Sequence, residues 1–369
     1  MRVGLAFRTF HERSGLSRYC VELARRLAAR TDVYLFARSV EAIVPAKGIV
    51  RFPWSFHSKR LEYGPNTLVN SALVGLGKRV LGLDIVNTQG ADLLGLDVIT
   101  AHGTWWGHYR AHAATSPAMA AELRKSVMPV IERANFRGRR YRRIIAVSEL
   151  TRRELRGKYA VPDEDIEVVP EGVDLERFRP DAKRRQAWRA QMGFDGECVL
   201  LHVTTDFVRK GLMTIVRALP RLENHPRLVV VGREDPTPYL EAAQRRGVDD
   251  LLTFVPFAEP IEDFYCGADA FVFPSHYEAF GLAILEAMAS GLPVICTNGL
   301  GVTDLMTDGK DSLLLRAWDD PKDLAAKVNA LDPDARRDIG AAARRTAERY
   351  PWEQTAHKTF DVYESCLRR

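Results

Sequence analysis

Pro274-Ser275-His276-Tyr277-Glu278-Ala279-Phe280-Gly281-Leu282-Ala283-Ile284-Leu285-Glu286-Ala287-Met288-Ala289-Ser290-Gly291-Leu292-Pro293-Val294 is the stretch on which the reading of this chain turns. It follows the apolar run Ala270-Phe271-Val272-Phe273, which reads as a buried strand. Positions 282–290 read as a helix ended by Gly291. Two carboxylates therefore flank a strand-loop-helix junction, Glu278 in the loop and Glu286 on the helix. Between them Phe280, Gly281 and Leu282 can present backbone N–H groups at a helix N-terminus. Such a terminus is a natural seat for phosphate, and glycine lets a ligand approach the backbone. Carboxylates just beyond that seat suit the hydroxyls of a sugar or ribose. The plainer alternative is a polar loop capping an ordinary crossover helix.

The full string fits P-S-x-x-E-x-F-G-L-x-x-x-E-A-M-A-x-G-x-P-V without a gap from Pro274 to Val294. In this it resembles the family 4 retaining glycosyltransferases, which have the GT-B fold of two Rossmann-like domains. The resemblance implies a nucleotide-sugar donor in the C-terminal half. Glu278 would touch the transferred sugar, and Glu286 would hold the donor ribose.

With 369 residues the chain is long enough for two domains, each with its own core. No run of about 18 apolar residues occurs, so no membrane-spanning helix is expected. The apolar start Val3–Phe7 runs into a charged loop without a cleavage pattern and reads as a first strand. Five scattered cysteines without a C-x-x-C pair suggest a reducing, cytoplasmic setting. Net charge is only +5, but it is uneven. Arg133, Arg137, Arg139, Arg140, Arg142 and Arg143 fall within eleven residues that contain no acid. Such a run is either a solvated surface or a peripheral contact with an anionic membrane. No zinc-finger spacing or RNA-binding motif supports nucleic acid.

Strand-like runs alternate with helical ones throughout, which predicts an α/β protein with parallel sheets. Strands are expected near 3–7, 33–36, 49–52, 84–87, 98–101, 144–147 and 166–169. In the second half they are expected near 199–203, 228–231, 252–255, 270–273 and 294–296. A helix over 16–29 would bury Leu16, Tyr19, Cys20, Leu23 and Leu27 on one face. The polar stretch 172–196 is the expected seam. It divides an acceptor-binding domain, 1–172, from a nucleotide-sugar-binding domain, 173–350. Residues 351–369 read as a final helix, which in GT-B enzymes crosses back onto the N-terminal domain.

Other positions acquire roles through the resemblance. Gly15 keeps one member of a glycine pair that relatives place after the first strand, near the donor diphosphate; Ser14 replaces the other. Lys210-Gly211 matches the end of G-R-L-x-x-x-K-G, whose arginine and lysine neutralise the diphosphate. Thr205 stands at the arginine position, and Arg209 is the candidate to restore that charge. The string Asp206-Phe207-Val208-Arg209-Lys210-Gly211 resembles glucosyltransferases that act on lipopolysaccharide core heptose. His102, at the end of a predicted strand, matches a histidine beside the reacting sugar. A strand-end histidine is also a common structural feature. Trp105, Trp106, His108 and Tyr109 follow it and could shape an acceptor pocket. Gly232 would approach the nucleotide, and Ala258 lies where relatives hold the base. Pro170-Glu171-Gly172-Val173-Asp174 resembles P-N-G-V-D with Glu171 in place of asparagine. Two D-x-D matches, at 163–165 and 332–334, lie in polar loops away from these positions, and no metal or other cofactor is implied.

The expectation is thus a metal-independent retaining glycosyltransferase. Its donor would be a nucleotide sugar, UDP-linked and carrying glucose or a related hexose. Its acceptor would be a glycan or glycolipid such as lipopolysaccharide core. A GT-B nucleotide-sugar epimerase and a non-catalytic sugar-nucleotide-binding subunit are the alternatives.

Overall fold

The computed structural model describes residues 1–53, 59–256 and 260–368, with side chains from 59 to 64 left out. It divides into two compact units. The first comprises Met1–Gly172 and Trp352–Arg369, and the second Val173–Pro351.

The first unit is built on seven strands. They are β1 (Arg2–Ala6), β2 (Asp32–Ala37), β3 (Gly48–Arg51), β4 (Ile85–Gln89), β5 (Val98–Ala101), β6 (Arg143–Ala146) and β7 (Ile166–Val168). All pair in parallel in the order β3-β2-β1-β4-β5-β6-β7. Val3 of β1 lies between Val33 and Ile85, and all three are fully buried. Continuous Val/Ile/Leu runs of this kind are what a sheet covered on both faces requires. The helix Gly15–Ala28 buries Tyr19, Cys20, Leu23 and Leu27, as its periodicity predicts. Leu16 departs from the expectation: it lies in the first turn and is exposed. The last helix, Trp352–Leu367, belongs to this unit and packs on Gly15–Ala28 and on β6.

The second unit has six strands: β8 (Val199–Val203), β9 (Arg227–Val231), β10 (Leu252–Val255), β11 (Ala270–Phe273), β12 (Val294–Thr297) and β13 (Leu313–Leu315). They are also parallel, in the order β10-β9-β8-β11-β12-β13. The chain steps outward from β8 to β10, then returns to lay β11 on the other side of β8. The order reverses there, and an open parallel sheet places its ligand crevice at that reversal, beyond the strand carboxyl ends. The expected seam proves to be largely structured. Its residues Ala182–Met192 form a helix capped by Asp181, and Trp188 of that helix packs against Gly267 and Phe264.

Gly211 fixes the loop that leaves β8. Its φ is +75°, and a Cβ there would run into the Pro274 carbonyl oxygen of the loop that leaves β11. Gly211→Ala combines left-handed strain with that backbone collision. It is expected to destabilise the second unit by about 2 kcal/mol or more. Urea unfolding would read this as a lowered midpoint; an unchanged midpoint would mean the two loops are not locked together here.

Candidate active site

Two loops meet at the reversal point. In the first, after β8, the Thr204 hydroxyl accepts the Asp206 N–H at 3.0 Å, and Asp206 in turn accepts the Arg209 N–H at 2.9 Å. Glu234, after β9, accepts the Phe207 N–H at 2.6 Å. These bonds turn Arg209 and Lys210 towards the second loop. There His276 donates its backbone N–H to the Arg209 carbonyl at 2.9 Å. The Arg209 guanidinium donates to Asp206 at 2.9 Å, to the Tyr277 carbonyl at 2.5 Å and to Glu278 Oε1 at 2.8 Å. Lys210 Nζ lies 3.2 Å from the same Glu278 oxygen and 5.0 Å from the centre of the Phe273 ring. Arg209, Lys210 and Glu278, three of the predicted residues, are therefore one cluster.

The cluster is mostly dry. The side chains of Arg209, Lys210 and Glu278 are 12%, 14% and 15% exposed. Burial alone would raise the Glu278 carboxyl, but the charges of Lys210 and Arg209 outweigh it and hold the group down at about 2. Burial likewise works against the Arg209 charge; Glu278 and Asp206 more than compensate, and its pKa is raised. Beneath them His202 on β8 is fully buried, and its Nδ1 lies 2.8 Å from the Val272 carbonyl. Burial lowers its pKa to about 4, so it adds no charge to the floor.

Beyond Glu278 the chain enters the helix Leu282–Ala289 through Gly281, whose φ of +114° favours glycine, and no side chain caps this terminus. Phe280 and Leu282 are buried beside it. The loop after β12 zips onto the same segment: Gly301 N–H donates to the Glu278 carbonyl at 3.0 Å, and Val302 N–H to the Phe280 carbonyl at 2.8 Å. Glu286, one turn along the helix, is buried and accepts the Tyr265 hydroxyl at 3.1 Å. Thr205, at the position where relatives carry arginine, is exposed. Gly232 has a packing reason of its own, since a Cβ there would strike the Thr204 carbonyl and the Phe207 ring. Ala258 lies outside the described residues.

In the first unit Gly15 opens the helix Gly15–Ala28 and is exposed; Ser14 before it makes no side-chain cap. His102 follows β5. Its Nδ1 lies 3.1 Å from Glu171 Oε1, and its Nε2 lies 3.1 Å from Gln89 Oε1. The Tyr19 ring stands edge-on to it at 4.5 Å, with Trp352 behind. Glu171, the residue that departs from the P-N-G-V-D pattern, is thus the partner of His102. Trp105 stacks on Tyr109 at 5.1 Å, and Lys158 Nζ lies 3.7 Å above the Trp106 ring. Behind this group the buried Glu132 accepts the Trp105 N–H at 2.8 Å, and burial pushes its carboxyl up to about 7.

Gln89, Glu171, Asp206, Glu234 and Tyr265 complete these networks and were missed by sequence reasoning. Only Glu171 carried a signal, as a departure from a motif. Both D-x-D matches are accounted for otherwise. Asp163 and Asp165 pair with Arg152 and Arg139, and Asp332 caps the helix Pro333–Ala347. A cavity of about 830 Å³ lies at the amino ends of the second sheet's strands. Its Arg185 and Arg189 bind Asp269 and the carbonyl of Gly267, at the end of a helix, so they are held in a structural knot.

Two protein families match the chain: Glycosyltransferase Family 4 over residues 13–177, and Glycosyl transferases group 1 over residues 197–333. A D-inositol 3-phosphate glycosyltransferase of Kribbella flavida is 31% identical, the match covering 95% of this chain and 90% of that protein. Among solved structures, WaaG, a glycosyltransferase involved in lipopolysaccharide biosynthesis, superposes with a TM-score of 0.80 at 21% identity, over 98% of this chain and 99% of that one. Anabaena HepE, solved with UDP and glucose, superposes with a TM-score of 0.76 at 16% identity, over 99% of this chain and 100% of that one. The fold is therefore GT-B.

Because the folded-state value of Glu278 lies below its unfolded value, its carboxylate adds stability above pH 4.5 that is lost as pH falls towards 2. Glu278→Gln is expected to flatten the acid limb of a stability-against-pH curve in that window. Urea midpoints taken from pH 6 down to about 3 test it; an equally steep acid limb in the variant would remove Glu278 as its source.

Proposed function

The chain belongs to the glycosyltransferases of these two families, and from that membership we propose that it transfers a hexose, with retention, from a UDP-linked donor. The observation that carries this reading is the largely buried Arg209–Lys210–Glu278 cluster at the carboxyl ends of β8 and β11. As the bond from the anomeric carbon to the diphosphate breaks, negative charge gathers on the leaving oxygens. We assign its stabilisation to Lys210 Nζ and the N–H groups at Gly281, whose held positions suit fixed positive charge that need not reorganise. Arg209 takes the part of the arginine missing at Thr205, because its guanidinium is turned inward and held there. The acceptor oxygen adds to the face that the nucleotide leaves, and the departing phosphate oxygen takes its proton. Glu278 orients a hydroxyl of the transferred sugar, and Glu286, oriented by Tyr265, takes the ribose. No step calls on a metal. The UDP and glucose bound by HepE support the choice of donor.

The relatives favour the transferase over an epimerase or a non-catalytic subunit. The acceptor we assign is a glycan or glycolipid, and the arginine run at 133–143 is its membrane-facing partner surface, in a protein peripheral to the inner face of the membrane. Arg139 and Arg142 in that run also carry the internal partners Asp165 and Asp97, while all but Arg143 are exposed. The name of the Kribbella relative supports a second acceptor, an inositol phosphate. The lipopolysaccharide reading rests on the short string Asp206–Gly211. Thermal shift against a panel of nucleotide sugars identifies the donor. Product formation with inositol 3-phosphate, with a core oligosaccharide and with no acceptor then separates the readings; conversion of the donor sugar without acceptor would establish an epimerase.

Lys210→Ala is expected to lower kcat at least a hundredfold, about 3 kcal/mol of transition-state stabilisation, with the fold intact. A folded variant with near-normal turnover would sink the diphosphate assignment. In calorimetry Glu286→Ala should weaken UDP binding, whereas Glu278→Ala should spare UDP and cut transfer. The opposite pattern exchanges the two roles. His102→Ala should depress transfer while UDP affinity stays within a few fold. A loss of thermal stability without that kinetic effect would leave His102 a structural residue of the first unit.

A further inference from the structure

The helix Lys59–Val80 between β3 and β4 is inside out. Its inward side is small or polar. Thr67 is buried, and Ser71 Oγ accepts the Leu94 N–H at 2.8 Å. Lys78 Nζ binds both Asp97 oxygens at 2.7 and 2.6 Å. Val74 is the aliphatic exception, fully buried. The outward side is aliphatic. Leu68, Val69, Leu76 and Val80 are 64%, 51%, 59% and 74% exposed, with Pro65 and Ala72 exposed among them. At about 100° per residue these six positions fall within an arc of about 120°, which between 65 and 80 only Arg79 interrupts. A surface helix normally turns the opposite pattern to water, and a contiguous exposed apolar stripe of this kind marks a contact surface.

Charge decides the occupant. No acidic residue occurs from Tyr63 to Leu83. The end of the stripe carries Arg79 and the exposed Arg2, which donates to the Leu81 carbonyl at 3.1 Å. Asp97, which holds Lys78, also holds Arg142 at 3.2 Å. The last turns of the helix therefore adjoin the arginine run at 133–143. A second copy of this chain would set cations against cations or against the bare stripe, with no acid from 63 to 83 or from 133 to 143 to meet them. An anionic lipid surface offers acyl chains to the stripe and phosphate to the arginines.

We propose that the outward face of helix 59–80 seats in the interface of an anionic bilayer, with the arginine run beside it on the headgroups. This extends the membrane contact proposed above from a purely electrostatic one to one with an apolar part. The stripe adds a component of binding that salt does not release.

Co-sedimentation of the full chain with phosphatidylcholine vesicles, with and without phosphatidylglycerol, tests it at low salt and at about 1 M salt, where charges are screened beyond about 3 Å. The wild type should bind the phosphatidylglycerol vesicles and keep part of that binding at high salt. The triple variant Leu68→Gln, Leu76→Gln, Val80→Gln should lose the salt-resistant part, about tenfold or more in partition. The triple variant Arg133→Gln, Arg137→Gln, Arg140→Gln should lose only the salt-sensitive part. All six residues are exposed, so both variants should keep the wild-type unfolding midpoint and UDP affinity, which separates failure here from failure of the donor assignment. The proposal is overturned if the stripe variant binds like wild type or if the wild type binds no vesicle. It is equally overturned if the stripe variant changes only the oligomeric state, which would make the face a contact between copies.

Discussion

A carboxylate taken out of water needs cations close by, and the second unit is arranged around meeting that need for Glu278. With two cations on one oxygen, losing Lys210 still leaves Arg209 to compensate the carboxylate, whereas losing both would strand a largely buried charge, which costs far more than an exposed pair is worth. The loops after β8 and β11 are accordingly tied to each other by backbone bonds as well as by the ion pairs, and Gly211 allows the close approach. The result is a set of positive groups whose positions are fixed before any ligand arrives. In a leaving-group site that rigidity is the useful property, because the stabilising dipoles need not turn during the reaction.

This arrangement was legible in the sequence to an uneven degree. Twelve of the thirteen strands of the two main sheets were readable from apolar runs, because parallel strands covered on both faces are mostly aliphatic; the short edge strand Leu313–Leu315 was not foreseen. The junction from Phe273 to Gly291 was readable down to its helix cap. The contacts that complete the site were not. His102 and Glu171 are 69 positions apart and Tyr265 and Glu286 are 21 apart; single residues at such separations leave no periodic trace. The inward turn of Arg209 depends on Asp206 and Glu278 together, so the absence of arginine at Thr205 could be noticed in the sequence but the orientation of Arg209 could not be fixed there. The helix at 182–192 was hidden for a different reason. Its buried face rests on one tryptophan, Trp188, in an otherwise polar segment.

The first unit shows how the end of the chain becomes part of its beginning. Trp352 stands against Tyr19, which stands against His102, and the Tyr363 hydroxyl donates to Asn87 at 3.1 Å. Asn87 in turn accepts from Gln89, the residue that meets His102 Nε2. The imidazole is therefore gripped on both nitrogens and on one face by groups that the final helix helps to hold. A histidine so constrained can present one orientation only, whatever its role, and that orientation depends on residues more than 240 positions away, as the separation of Asn87 from Tyr363 by 276 positions illustrates.

The inverted helix between β3 and β4 obeys the same accounting of polar groups, with the opposite outcome. Lys78 and Ser71 turn inward because Asp97 and the Leu94 N–H are buried or half-buried and need partners. Once those positions point inward, the 3.6-residue period leaves Leu68, Leu76 and Val80 nowhere to go but out. Satisfying the interior does not require aliphatic residues on the outside, since alanine, lysine or glutamate would serve the helix as well in water. The outward leucines and valines are therefore a choice that folding does not explain. They lie beside arginines that folding explains only in part, through Asp97 and Asp165. Both features make physical sense together against a surface that is apolar within and anionic at its edge.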